Sequence, residues 1–305
     1  METSKIAIGS WAFSFGPFEN NPWSFEEVAK YASENGYDGI EINGYKPHPH
    51  PDNYGTDEKC AELKKFLDDL GLGISGFAAD FREVPPAKVE KNEFMNEVKR
   101  CLDFCKRMEI NTLRVDTISP PVKLSEEEYA ADFKRLTDNW RAAADLAAQY
   151  NVTIVWEFEP GFWLNSPSEI VNAVKTVDHP NFKVLFDTSH AYMCAVVGAR
   201  QTGEKEVLEG GIAELHENLK GYIGHYHVID SDGTLHDDET STHSPFGKGF
   251  IDWKAFFTQF ESELSASNWW CCDFCFCPTT EQDGKDAVPF LKNVAASVGV
   301  EDAIR

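Results

Sequence analysis

Four short stretches carry the residues best suited to chemistry. Thr153 to Pro160 is an apolar run that ends in Glu157, with Glu159 two residues later. Val184 to His190 ends in Asp187, with His190 three residues on. Tyr222 to Val228 carries His225 and His227, and Trp269 to Phe274 carries Asp273. A short apolar run bounded by turn signals reads as a buried strand. Each carboxylate therefore stands near the carboxyl end of a strand, and His225 and His227, two apart, share one face. Two or three carboxylates and an imidazole brought to one point would bind a hard or borderline divalent ion such as Mn²⁺, Mg²⁺, Co²⁺ or Zn²⁺. Without a cation, the same carboxylates packed together would be strongly disfavoured.

That convergence requires parallel strands with their ends at one rim. Helical segments between the strands supply this, because a βαβ crossover makes its strands parallel. Lys5–Gly9, Gly39–Asn43, Gly73–Ala78 and Thr112–Asp116 read as four earlier strands. Helices are expected from about 24 to 35, from Thr56, from about 92 to 108, and from Ser125 to about 150. Ser24 with Glu27, Ser125 with Glu128 and Ser166 with Glu169 have capping-box spacing, and Pro167 suits a first helical position. A helix near Glu206 to Leu219 follows a less regular region. Asp230 to Asp252 reads as one long loop, Trp253 to Leu264 as a helix, and Gly284 to Ser297 as the last helix.

Eight strand–helix alternations with no linker predict a single α/β domain over residues 1–305, a (β/α)₈ barrel. A doubly wound open sheet is the alternative, disfavoured because no G-x-G-x-x-G or P-loop follows an early strand. The length of 305 residues suits one barrel, which needs roughly 250. A net charge of -23, spread along the chain, argues against a nucleic-acid partner. No apolar run reaches the roughly 18 residues of a membrane span, and no signal peptide is read at the start. A cytoplasmic enzyme is expected. Eight cysteines are present, four of them between Cys271 and Cys277. They read as buried thiols, because a strand throws Cys272 and Cys275 to opposite faces.

The segments Trp156-Glu157-Phe158-Glu159-Pro160, Asp187-Thr188-Ser189-His190, Gly224-His225-Tyr226-His227 and Pro245-Phe246-Gly247-Lys248-Gly249 then add a resemblance. The chain resembles, over nearly its whole length, the xylose-isomerase-like barrels, which include sugar isomerases, epimerases and related lyases. The resemblance implies one divalent ion, Mn²⁺ by preference, held by Glu157, Asp187, His227 and Asp273, with His190 on a substrate oxygen. It implies proton abstraction beside a sugar carbonyl, with Glu157 or Asp273 moving the proton. The last ligand departs from the family, which usually has Glu where Asp273 stands. The Arg that epimerases place after the H-x-H pair is missing from Val228 to Thr234. The chain also resembles the large subunit of the C-glycoside deglycosidases, lyases on 3-oxo-glycosides that work with a small β subunit. Sugars, keto-sugars or oxidised glycosides are the implied substrates, in a homo- or hetero-oligomer. An apurinic endonuclease is disfavoured by the acidic charge, and a non-enzymatic binding barrel remains the alternative in which the rim holds no metal.

Other residues are candidates from their position alone. His48 and His50 follow the second strand in a Pro-rich loop and could act as an extra base. Glu159, His225, His243 and Lys248 are candidates for substrate contact. Phe162, Trp163, Phe246 and Phe276 suggest an aromatic-lined rim. Asp230-Ser231-Asp232-Gly233 lacks the remaining ligands of a calcium loop.

Overall fold

The computed structural model describes residues 4–300 and 304. Its strands are β1 (Lys5–Gly9), β2 (Gly39–Asn43), β3 (Gly73–Ala78), β4 (Thr112–Val115), β5 (Thr153–Glu157), β6 (Phe182–Asp187) and β7 (Ile223–Val228), then β8 (Asp230–His236), β9 (Thr240–Ser244) and β10 (Trp269–Cys272). β1 to β7 and β10 form a closed parallel barrel, in which β1 pairs with both β2 and β10. Closure rules out the open doubly wound sheet. The helices are α1 (Phe25–Glu34), α2 (Asp57–Asp69), α3 (Lys91–Met108), α4 (Glu126–Ala148), α5 (Pro167–Val177), α6 (Thr188–Tyr192), α7 (Gly211–Asn218), α8 (Trp253–Ala266) and α9 (Thr280–Ser297). No described helix is long and apolar enough to cross a membrane.

Alternation along each strand separates the packing face from the chemical face. Trp156 turns outward and packs on Trp140 of α4, with ring centroids 5.0 Å apart, while Glu157 turns inward. Phe186 packs against His216 of α7, and Asp187 beside it turns inward. The Tyr226 hydroxyl lies 2.8 Å from Nε2 of the same His216, and His225 and His227 on either side face the lumen. Register completes the arrangement: Asp187 pairs with His227, and His227 with Cys271. The three expected capping boxes are present at the starts of α1, α4 and α5.

The expected long loop between Asp230 and Asp252 instead contains an antiparallel hairpin, β8 with β9. Its Asp, Ser, Gly and Thr residues are weak strand formers. Tertiary bonds supply the order instead. The Asp230 carboxylate accepts from the amides of Ser231, Gly247 and Ile251 and from the Trp253 indole, at 2.8–3.1 Å. Those bonds occupy both oxygens, which gives Asp230 a structural task.

Candidate active site

Glu157, Asp187, His227 and Asp273 come together at the ends of β5, β6, β7 and β10, four neighbouring strands. One donor atom from each lies within 4.8 Å of all the others, and all four residues are buried. Each residue is held by its second atom. Arg114 Nη2 donates to Glu157 Oε2 at 2.7 Å. Asp187 Oδ1 caps α6 by accepting from the His190 amide at 2.7 Å. Asp273 Oδ1 accepts from the Trp11 indole at 2.7 Å and the Cys275 amide at 2.8 Å. His227 Nε2 lies 3.2 Å from Glu41 Oε1.

The inward atoms have no such partners. Glu157 Oε1, Asp187 Oδ2 and His227 Nδ1 are buried without a hydrogen-bond partner among the described residues. His227 Nδ1 lies 2.8 Å from Glu157 Oε1 and 3.3 Å from Asp273 Oδ2. Three carboxylates and an imidazole converging on one point, three of them with an atom lacking a hydrogen-bond partner, fit a divalent ion. Burial opposes charge on His227, but Glu41 and Glu157 raise it well above the ordinary histidine range, so a metal bound there would displace its proton. Burial raises the Asp187 carboxyl to about 7 despite the pull of His243, and the nearby Asp273 and Glu157 add to the rise. Burial opposes charge on Glu157 too, but Arg114 and His227 hold it down at about 2. Burial likewise opposes charge on Asp273, and His243 and His227 keep it well below the usual carboxylate range.

Above this cluster opens a cavity of about 530 Å³. His190, Glu159 and His243 line it together with Glu157 and Asp273. His190 Nδ1 is 2.8 Å from the Ser241 hydroxyl, and its Nε2 is 3.6 Å from Glu159 Oε2. Burial drives the His190 ring down to about 3 and so keeps it neutral. Burial lifts Glu159 to about 7, although Thr240 donates to it at 2.5 Å. Burial disfavours charge on His243, but Asp273 and Asp187 raise it to about 9. Thr240 and His243 line the cavity from β9 and Ser241 backs His190, so the hairpin supplies much of its polar wall.

Other candidates are placed elsewhere. His48 is fully buried, with ring nitrogens 3.0 Å from the Ser10 hydroxyl and 3.0 Å from the Trp23 carbonyl, and it ties loops together. His50 lies beside a separate pocket, with Nδ1 accepting from the Asp52 amide. Neither lines the cavity, because the loop after β2 turns these rings into the protein. His225 also lies off the cavity, with Nε2 2.8 Å from Glu41 Oε2. Lys248 is exposed, and its backbone turns back to the Pro245 carbonyl. Phe162 and Phe276 line the cavity, whereas Trp163 packs on Tyr129, and Phe246 on Trp253 and Phe290.

Glu41, Arg114, Asp116 and Trp11 were not among the expected site residues. Arg114 of β4 and Asp116 just past its end stand two apart and bond at 3.1 Å. Burial raises Asp116 to about 6 even though Arg114 opposes the rise. The available signal was a charged residue at alternate positions in an otherwise apolar strand.

Comparison with known proteins places this geometry in context. The family model described as "Xylose isomerase-like TIM barrel" matches residues 29–294. The 3-dehydroshikimate dehydratase of Bacillus anthracis is 25% identical over 230 residues, 72% of this chain and 71% of that protein. The D-psicose 3-epimerase of Clostridium cellulolyticum H10, solved with D-tagatose, has a TM-score of 0.70 and 17% identity, covering 95% of this chain and 99% of that one. The IolI protein, solved with a bound zinc atom, has a TM-score of 0.70 and 20% identity, covering 98% and 99%.

Proposed function

The chain belongs to the xylose isomerase-like TIM barrel family, and on that premise we propose that it is a divalent-metal-dependent enzyme that abstracts a proton beside a sugar carbonyl, as an isomerase or epimerase. The observation that carries the reading is the buried quartet Glu157, Asp187, His227 and Asp273, converging on one point with three atoms lacking a hydrogen-bond partner. These four would hold the ion, with Mn²⁺ first among Mn²⁺, Mg²⁺, Co²⁺ and Zn²⁺. The ion, when bound, acts as a Lewis acid on adjacent substrate oxygens.

The remaining work falls to the chain. Glu157 and Asp273 are both ionised and line the cavity, so either carboxylate is available to take the proton and the other to return it. Neutral His190 donates from Nε2 to a substrate oxygen in the tautomer in which the Ser241 hydroxyl donates to Nδ1. Cationic His243 offers a second donor on the same wall. Glu159, raised to about 7, is suited to hold or release a proton near neutral pH.

The cavity favours a second reading, a lyase that expels the aglycone of a 3-oxo-glycoside. Its volume of about 530 Å³ lies within the range of small-molecule pockets, about 300–1,000 Å³. Phe15, Tyr45, Phe162 and Phe276 give it an aromatic wall. The dehydratase name of the Bacillus anthracis relative also supports elimination. A small β subunit would be its expected partner.

Elemental analysis of the purified protein, beside a folded Glu157→Gln/Asp187→Asn variant, tests both readings. About one divalent ion per chain, lost in the variant, is expected. Metal-dependent exchange of substrate hydrogen for solvent deuterium with D-tagatose or D-fructose would favour the isomerase. Release of phenol from a phenyl 3-oxo-glycoside would favour the lyase. No metal uptake under any loading condition would leave the binding-barrel reading in front.

A further inference from the structure

Glu41 lies in the middle of β2 and is 1% exposed. It reaches across the lumen to β7, which is separated from it in the barrel by β1 and β10. Its two oxygens take different histidines: Oε2 is 2.8 Å from His225 Nε2, and Oε1 is 3.2 Å from His227 Nε2. Ser75 donates to Oε2 at 3.3 Å. The next residue of β3, Gly76, leaves little spare room, because a Cβ there would lie 3.3 Å from the Glu41 carboxyl carbon. Glu41 is therefore packed and bonded in one orientation.

A carboxylate only accepts hydrogen bonds, so both Nε2 atoms facing it must carry hydrogen. For neutral His227 this leaves the lone pair on Nδ1. Nδ1 is the atom that faces Glu157 and Asp273, and it lacks a hydrogen-bond partner. We propose that Glu41 is the positioning residue of the metal centre: it fixes the His227 tautomer and ring orientation, so that Nδ1 is the ligand atom. His225 is its second tether, holding the carboxylate from the other oxygen. The inference rests on the metal-centre reading above and deepens it by assigning the atom and its support.

Glutamine, although similar in shape, replaces Glu41 only if one of the two rings shifts its proton to Nδ1 and presents a lone pair. Its amide offers one acceptor and one donor side. Only one of the two Nε2–H groups could then be accepted, and the other ring would meet an N–H. Losing such an outer partner of a metal-bound histidine costs roughly 10–100-fold in metal affinity.

The test uses the full chain, with Zn²⁺ as probe, and measures affinity by competition with a chelator. Wild type and Glu41→Gln are compared, with the fold checked by circular dichroism. A roughly 10–100-fold weaker Zn²⁺ affinity in Glu41→Gln supports the proposal. The second readout is the two-bond ¹H–¹⁵N spectrum of wild type labelled at histidine nitrogen and loaded with Zn²⁺. It needs no variant to fold. A His227 ring protonated at Nε2 supports the proposal, and protonation at Nδ1 overturns it. Unchanged affinity in a folded Glu41→Gln also overturns the role of Glu41 while leaving the metal centre standing. Failure of wild type to bind Zn²⁺ or Mn²⁺ overturns both.

Discussion

Trp11 donates its indole N–H to Asp273 Oδ1 at 2.7 Å, joining the turn after β1 to the residue just past β10. The bond crosses the seam where the first and last barrel strands pair. The same indole lies 5.2 Å from the His227 ring and lines the cavity. One side chain thus braces two members of the four-donor cluster. Replacement of Trp11 by Phe keeps a ring but removes the donor. Asp273 keeps the Cys275 amide, so the expected loss is about 1–2 kcal/mol of stability. Divalent-metal affinity should fall by roughly tenfold, by analogy with other outer-shell losses. Urea unfolding and metal titration on the same preparation check both, and wild-type values for Trp11→Phe would remove the bracing role.

Arg114 is the partly buried cation between Glu157 and Asp116, with contacts of 2.7 and 3.1 Å. Arg114→Met would leave two buried carboxylates without it. Breaking a buried charge network from one side typically costs about 3–5 kcal/mol. Arg114→Lys should recover only part of this, because a lysine cannot bridge two carboxylates with a planar fork. Equal stability of the Met and Lys variants in urea unfolding would argue against a charge-specific role.

Asp230→Asn tests how the hairpin is held. The amide would turn its N–H₂ toward one pair of donors now satisfied by a carboxylate oxygen, Gly247 and Trp253 at Oδ2 or Ser231 and Ile251 at Oδ1. Leaving such donors unsatisfied costs about 1–3 kcal/mol each. The hairpin should loosen before the barrel does, since its strands pair only with each other. Limited proteolysis should therefore cut the variant first within 230–252. Cleavage at the wild-type rate would show that the hairpin does not depend on this carboxylate.

His216 gives the stability a pH dependence from the outer face of the barrel, behind β6 and β7. It is buried between Tyr226, 2.8 Å from its Nε2, and Phe260, with ring centroids 3.8 Å apart. Burial lowers its pKa from the ordinary 6.5 to about 4. Below 6.5 the unfolded chain takes up a proton that the folded one refuses, so stability falls as pH drops from about 6.5 to about 4 and then levels off. The full effect is about 3 kcal/mol. His216→Gln, which keeps a partner for the Tyr226 hydroxyl, should be less stable at pH 7 but have a flatter profile over that window. An unchanged slope in urea unfolding at pH 7, 6, 5 and 4 would exclude His216 as its source.

The sequence was most legible where one strand decides the outcome alone. Glu157, Asp187 and Asp273 could be placed because each ends an apolar run or lies just beyond one, and alternation turns such residues inward. The boxes at Ser24, Ser125 and Ser166 were visible because capping is local to four residues. Glu41 was not, since its role depends on two histidines more than 180 positions away across a closed lumen. His48 and His50 looked like site residues because their loop follows a strand end. Which way that loop folds was decided by Ser10, Trp23 and Asp52, contacts that no spacing rule contains. The hairpin was hidden for a similar reason, its polar strands being ordered by Asp230 rather than by their own pattern.

That hairpin divides labour in the molecule. The cluster stands on barrel strands, while Thr240, Ser241 and His243 arrive on a ribbon secured at one carboxylate and closed on itself. Gly249 sits tightly against that anchor, where a Cβ would come within 2.4 Å of Asp230 Oδ1. Yet the ribbon is not independent of the cluster: His243 Nδ1 stands 3.3 Å from Asp273 Oδ1, so a change at the hairpin reaches the carboxylates as well as the cavity wall.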